Sequence, residues 1–315
     1  TAPLTIRCLA TLEPERAAVP GVRVAVVENA SGDAETLAAA IRDHGWESWV
    51  ELIVAERNGG FAYGNNQAIA RALRAADPPR YILLLNSDTE IFPGALSALL
   101  EFMERRPEVG LAGSALVNED GTDWPIAFRF PSLGAELDEG VRLGFVSRLL
   151  RPYQVPRTMP QDRPSPADWV SGASLIIRRE VFRDVGLMDE GYFLYYEEVD
   201  FCLQARRAGW PCWYVPSSRV MHLAGQSTGV SARTDRPQRR PSYWFESRRR
   251  YFVKNHGRLY ALLADLAFGG GFALWRLRRF LQRRPDPDPP CFLSDFWKQS
   301  IRLRLPRTRA GCSTR

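Results

Sequence analysis

Nowhere in these 315 residues does an apolar run reach the roughly 18 to 20 residues that a bilayer crossing requires, so a bundle of membrane-spanning helices is not expected. No basic-then-apolar leader opens the chain, and no secretory signal is read. Cysteine is sparse: Cys8, Cys202, Cys212, Cys291 and Cys312 are odd in number, widely scattered and without a CxxC pair. A disulfide framework or a cysteine zinc site is therefore not expected, and a reducing cytoplasm is the simplest home. No internal repeat is visible. What remains is globular: 45% hydrophobic and 25% charged residues are too apolar a mixture for a chain disordered end to end. The net charge is +6, with acids spread through the body and arginines crowded into residues 236–315. Such a tail can meet nucleic acid, an anionic membrane surface or an anionic substrate, or stand as a solvated surface.

Along the first third, short apolar runs alternate with helical stretches. Strands are predicted over 22–27, 50–54 and 81–85, and helices over 37–43, 64–76 and from Pro93 to about residue 106. Strands of this fully apolar kind, alternating with helices, imply a mostly parallel sheet covered on both faces. From 124 to 168 the pattern fails, and a long loop with one helix near 143–150 is expected. Beyond it come an apolar run at 173–177, a helix at 181–185, an aromatic and acidic cluster at 192–201 entering a helix, and a short strand at 213–215. A helix over 243–255 precedes a longer apolar one over 259–282, which Gly269-Gly270-Gly271 is expected to interrupt.

Ligands of parallel α/β sheets collect at the carboxyl ends of strands. Three polar clusters fall there: Glu28-Asn29-Ala30-Ser31, residues 58–66, and Asn86-Ser87-Asp88. A lone Asp at a strand end is most often a turn former, but three such clusters on one sheet point to a site. Gly59, Gly60 and Gly64 permit close backbone approach ahead of a helix N-terminus, which suits phosphate. Asp88 ends a five-residue apolar strand, and one carboxylate suffices for a hard cation when a diphosphate fills other positions. His222 follows the last strand and is a second possible ligand, or else a core histidine. Glu197, Glu198 and Asp200 crowd among aromatics; mutual repulsion and lost solvation would raise at least one pKa toward general-base range. The alternative is an acid-rich first helical turn.

In this order the clusters resemble the family 2 inverting glycosyltransferases, in particular their rhamnosyltransferase-like branch. The resemblance runs through Val26-Val27-Glu28-Asn29-Ala30-Ser31, Asn58-Gly59-Gly60-Phe61-Ala62-Tyr63-Gly64-Asn65-Asn66 and Leu85-Asn86-Ser87-Asp88-Thr89. It continues with Trp169-Val170-Ser171-Gly172-Ala173, Phe193-Leu194-Tyr195-Tyr196-Glu197-Glu198-Val199-Asp200-Phe201, and His222 with Gly225-Gln226-Ser227. It covers roughly residues 22–256 and implies a GT-A fold, a nucleotide-diphosphate sugar donor (dTDP-rhamnose by family) and a glycan or lipid-linked acceptor. Donor binding is then expected from Glu28, Asn29, Ser31, Asn58, Gly60, Gly64, Asn65, Asn86 and Asp88, and acceptor binding from Trp169, Gly172 and Glu197. Glu28 stands where the family usually has an Asp, and Asn86 where a full DxD motif has its first acid. The resemblance makes Asp88 and His222 the ligands of a divalent metal, Mg²⁺ or Mn²⁺. It makes Glu198 the general base, with Asp200 as the other claimant. It also implies a hydrophobic first strand just ahead of Ala2-Pro3-Leu4-Thr5, which this chain does not contain, so the catalytic domain over 1–256 reads as N-terminally truncated.

The reaction so implied is direct displacement at the sugar C1 with inversion. A nucleotide-sugar-binding pseudoenzyme is the alternative. A basic nucleic-acid-binding protein is the remote one, and the acidic cluster in the expected cleft argues against nucleic acid. Residues 225–241, polar and without apolar periodicity, are expected to close over the donor. Residues 257–315 read as a helical, Arg-rich extension. Either Trp275, Phe280, Phe292, Phe296 and Trp297 with the neighbouring arginines hold the enzyme peripherally at the cytoplasmic membrane face, or residues 259–275 pack on the catalytic core.

Overall fold

The computed structural model describes residues 1–124, 127–223 and 238–301. Helix α1 (Ala2–Ala18) opens the chain, followed by β1 (Val24–Glu28), α2 (Ala34–Asp43), β2 (Val50–Val54), α3 (Gly60–Leu73) and β3 (Tyr81–Leu85). Next come β4 (Thr89–Ile91), α4 (Ala95–Arg105), β5 (Leu111–Val117) and β6 (Ala127–Phe128), then α5 (Leu133–Val141) and α6 (Gly144–Leu149). Short strands β7 (Pro156–Arg157), β8 (Ser165–Ala167) and β9 (Trp169–Val170) lead to β10 (Ser174–Arg178), α7 (Arg179–Val185) and α8 (Glu197–Arg207). The long strand β11 (Cys212–His222) and helices α9 (Ser242–His256), α10 (Arg258–Leu281) and α11 (Phe292–Ile301) complete the order.

The predicted strands at 50–54 and 81–85 and the helices at 37–43 and 243–255 form within a few residues of expectation, because each has a clear apolar period and a sharp polar stop. Helix α1, strand β5 and helix α5 are among the elements not read from the sequence. Helix α1 escapes because Pro14 lies inside it and its apolar face is thin, yet it buries Cys8, Leu9 and Leu12. Its Glu15 accepts from the Gly94 and Leu96 amides (2.7 and 3.0 Å), satisfying free N–H groups at the start of α4. Strand β5, buried along all seven residues, is rich in Ala, Gly and Ser, residues of low strand propensity. Helix α5 lies within the stretch expected to be loop.

The main sheet has the order β3-β10-β5-β11-β4, with β8 also paired to β11. The expectation of a mostly parallel sheet does not hold. Strand β11 runs parallel to β5, but β10 is antiparallel to both β3 and β5, and β4 and β8 are antiparallel to β11. Apolar strands buried on both faces carry no mark of direction in their sequence. Strands β1 and β2 form a separate parallel pair. Among the described residues the other edges of β1 and β3 are unpaired, and both strands line one cleft of about 1950 Å³.

The three glycines do not interrupt α10, which is continuous over 24 residues. Gly269 and Gly271 let neighbours approach: a Cβ at Gly269 would lie 2.4 Å from the Trp297 ring, and one at Gly271 would lie 2.9 Å from Val141. The buried face of α10 joins Phe268, Phe272 and Trp275 to Phe245, Phe292 and Phe296 in one aromatic cluster. The aromatic residues expected at lipid headgroups are thus mostly inside; of those five, Phe280 is exposed (78%) while Trp275, Phe292 and Phe296 are buried. Between α5, α9 and α10, buried Arg248 donates to Glu136 (2.5 Å) and Asp265 (2.5 Å), and Arg249 reaches the other Asp265 oxygen. No helix among the described residues is long and apolar enough to cross a membrane.

Candidate active site

The cleft between the two sheets gathers nearly every residue singled out from the sequence. Its lining includes Glu28, Asn29, Ser31, Asn58, Gly60, Gly64, Asn65, Asn86, Asp88, Gly172, Glu197, Glu198 and His222. Trp169 and Asp200 are not among them.

The floor at β1 and α3 is held by amide and carboxylate groups acting on backbone. Glu28 Oε1 accepts from the Ser31 hydroxyl (2.6 Å) and from the amides of Ser31 and Gly32, closing the loop after β1. Burial opposes its charge, but these bonds, the Ser31 hydroxyl foremost, hold the carboxyl below the usual glutamate range. Asn29 Nδ2 donates to the Gly60 carbonyl (3.0 Å) and to Asn58 Oδ1, which itself accepts from the Gly60 amide (3.1 Å). Gly64 faces Asn29, where even a Cβ would sit 3.4 Å from its amide nitrogen. Asn65 turns back to the Phe61 carbonyl (2.9 Å).

Register brings Asp88 and His222 together. Strand β11 crosses a bulge between Val215 and Arg219, then pairs antiparallel with β4 so that His222 opposes Thr89. His222 Nε2 lies 3.2 Å from Asp88 Oδ1 and 3.3 Å from Asn86 Nδ2, with Trp124 stacked on the imidazole at 5.2 Å. Two neighbouring ligands of one small divalent cation, each bound at about 2.1 Å, stand at about this separation, so the carboxylate and imidazole fit a Mg²⁺ or Mn²⁺ ion. No cluster of three or more His, Cys, Asp or Glu occurs among the described residues. The described residues would therefore supply two ligands.

Opposite lies the loop carrying Glu197 and Glu198. Tyr195 and Tyr196 both adopt left-handed backbone (φ 69° and 70°), turning the chain sharply so that the first turn of α8 faces the cleft. The Phe193 carbonyl accepts from the Phe61 amide (2.9 Å), and the Leu194 carbonyl from the Ser247 hydroxyl (2.9 Å), which clamps this turn between α3 and α9. Buried Asn66 adds a second tie, donating to the Met188 carbonyl and accepting from its amide. That residue belonged to the sequence motif, but only the long-range contact shows it to be structural. One oxygen of Glu197 and one of Glu198 are buried without a hydrogen-bond partner. Burial raises the pKa of both carboxyls, and the adjacent Glu198 charge pushes Glu197 further. Asp200 is committed elsewhere: it accepts from Lys254 (2.6 Å), Asn255 (2.7 Å) and Gln204 (3.3 Å), pinning α8 to α9. Trp169 stacks on Phe128 and donates to the Arg129 carbonyl, so its indole belongs to the small β6-β7-β9 sheet. The expected lid and the Gly225-Gln226-Ser227 motif lie outside the described residues, apart from 238–241.

A scan against family models matches residues 5–250 to "Glycosyltransferase like family 2". The chain belongs to glycosyltransferase family 2. Its relatives include an N-acetylglucosaminyl-diphospho-decaprenol L-rhamnosyltransferase of Mycobacterium tuberculosis, 34% identical over 66% of this chain and 68% of the relative. Rhamnosyltransferase WbbL of Escherichia coli is 26% identical over 63% of this chain and 77% of its own length. Among solved structures, a mannosyltransferase of Pyrobaculum calidifontis, in complex with GDP-Man and Mn²⁺, superposes at a TM-score of 0.53. It covers 90% of this glycosyltransferase and 72% of its own chain at 14% identity, a likeness of fold. The glycosyltransferase therefore has the GT-A fold implied by its motifs, with a central mixed sheet flanked by helices.

Proposed function

We propose that this glycosyltransferase moves a sugar, with rhamnose the first to test, from a nucleotide diphosphate to a glycan or lipid-linked acceptor with inversion at C1. The observation that carries the reading is that one cleft holds the Asp88–His222 pair and the buried Glu197–Glu198 pair. A diphosphate seated beside Asn86 and Asp88 would find amide donors and small residues around it, with Glu28, Asn29 and Ser31 shaping the nucleoside end. A divalent cation held by Asp88 and His222 would neutralise the charge that gathers on the departing diphosphate. Glu198 Oε takes the proton of the acceptor hydroxyl as that oxygen bonds to C1 and the C1–O bond to the diphosphate breaks. Burial makes this carboxylate a stronger base than an exposed glutamate. Asp200, already bonded to Lys254 and Asn255, is assigned to holding α8 in place. Gly172 and Glu197 remain on the acceptor side, and Trp169 is assigned to the scaffold.

The lipid-linked form of the acceptor is supported by the name of the mycobacterial relative, and it implies work at the cytoplasmic face of a membrane. Residues 1–256 would be the catalytic domain and 257–315 its extension. The test is calorimetry of nucleoside diphosphate binding with and without Mn²⁺, alongside release of nucleoside diphosphate from a panel of nucleotide sugars. Asp88→Ala and His222→Ala should each weaken the metal-dependent part of binding. Unchanged metal-dependent affinity in both variants would remove the metal assignment, and absence of turnover with every donor would favour a binding module.

A further inference from the structure

The exposed face of α10 belongs neither to the cleft nor to the aromatic cluster. Eight large apolar side chains stand on this helix in solvent: Leu259 (70%), Leu262, Leu263, Leu266, Leu274 (65%), Leu277, Phe280 and Leu281 (71%). At 100° per residue they fall within about 120° of the circumference, opposite the buried Ala264, Phe268 and Trp275. The stripe runs the length of a helix of about 36 Å. Single exposed leucines are ordinary, whereas a continuous stripe of this size marks a contact surface. Arg278 donates to the Arg142 carbonyl, setting the start of α6 beside the same helix, and α6 exposes Phe145 (69%) and Leu149 (77%).

The charges around the stripe select among occupants. The one acid of α10, Asp265, is buried against Arg248 and Arg249. Arg258 and Arg276 flank the stripe on one side by helical position and Arg278 on the other. Arg276 is neutralised by Asp286, but Arg278 and Arg279 donate to the carbonyls of Arg142 and Pro285, which carry no compensating charge. Arg283 and Arg284 stand exposed just past the helix end. A second copy docking stripe on stripe would set arginines against arginines. An anionic, apolar layer satisfies both features at once.

We infer that α10 lies in the plane of an anionic lipid bilayer, its leucine stripe in the acyl boundary and its flanking arginines among the headgroups. The contact is made by leucines, with the aromatic residues packed behind them. It rests on the proposed function only in that a lipid-linked acceptor gives the contact a purpose; binding itself is read without turnover. The experiment is flotation of the full chain with vesicles of phosphatidylcholine containing about a third phosphatidylglycerol. The protein should float with these and not with phosphatidylcholine alone, and salt should reduce the bound fraction. Leu259→Gln, Leu266→Gln and Leu277→Gln combined should lower binding at least roughly tenfold. The variant should leave the melting temperature and donor hydrolysis unchanged, because all three side chains are more than half exposed and none lines the cleft. Arg283→Glu with Arg284→Glu should lower binding to the anionic vesicles alone. Flotation of the leucine variant equal to that of the parent would overturn the inference. So would a dimer in light scattering that the same three substitutions dissociate, since the stripe would then serve a second copy.

Discussion

Gly60→Ala is the sharpest test of how the glutamate loop is held. Gly60 has φ of +84°, a region that costs an L-residue roughly 1–2 kcal/mol. A Cβ there would lie 1.8 Å from the Phe193 carbonyl oxygen and 2.8 Å from its Cα, backbone atoms that cannot rotate aside. The loop would have to retreat by roughly 1.5 Å to regain ordinary contact, and the bond from the Phe61 amide to Phe193 would go with it, a further ~1 kcal/mol. The combined cost of about 2–3 kcal/mol should lower Tm by roughly 4–10 °C for a chain of this size. The larger effect is functional. Displacing Glu197 and Glu198 by about 1 Å should reduce turnover on the order of a hundredfold. Melting followed by circular dichroism, with release of nucleoside diphosphate as the rate assay, reads both. Gly270→Ala is the control: that position sits in a helix with open space around the new methyl, so stability should hold or rise by up to ~1 kcal/mol. A Gly60→Ala protein that melts and turns over like the parent would refute the clamp.

Four further outcomes follow from the structure. Glu198→Gln should reduce transfer by about 10²–10⁴ while donor binding by calorimetry stays close to normal. Asp200→Asn should instead lower stability by about 2–3 kcal/mol in denaturant titration, because it loses the charge facing Lys254; an Asp200→Asn enzyme that is stable but inactive would reverse the assignment. Arg248→Ala leaves Glu136 and Asp265 buried without their shared cation and should cost about 3–5 kcal/mol, the loss falling on packing of α5, α9 and α10. The raised pKa values of Glu197 and Glu198 predict a pH dependence of stability. The folded pair keeps protons that the unfolded chain releases near pH 4.5, so stability is fullest below that value and falls as pH rises, by at most about 1.4 kcal/mol per unit for one proton. Glu197→Gln removes this uptake, and its stability relative to the parent should improve between pH 5 and 8. A constant difference across that range would show that the pair is not protonated in the fold.

Much of the site is local in origin, which is why its motifs could be read in the chain. Apolar strands at 50–54 and 81–85 end where polar residues begin, and polar residues at the ends of such strands collect in one place whatever the rest of the fold does. Gly60, Gly64, Asn86 and Asp88 reach the cleft for that reason, and the family followed from their order. What depends on pairing over long distances was not legible. Strand direction left no trace, because a fully buried strand is equally apolar running either way. No local pattern pairs Asp88 with His222: the resemblance named both, and the register of β11 against β4 beyond a bulge is what brings them together. Asp200, two residues beyond Glu198 on one helix, is bonded to Lys254 and Asn255 on α9, contacts that no local pattern shows. Trp169 does not line the cleft, because its indole stacks on Phe128 and donates to the Arg129 carbonyl. In α10 the composition showed apolar residues and arginines but not which would be covered. Packing of α5, α9 and α11 on one side took the aromatics and the glycines, and the leucines, on the opposite side by helical geometry alone, remained in solvent.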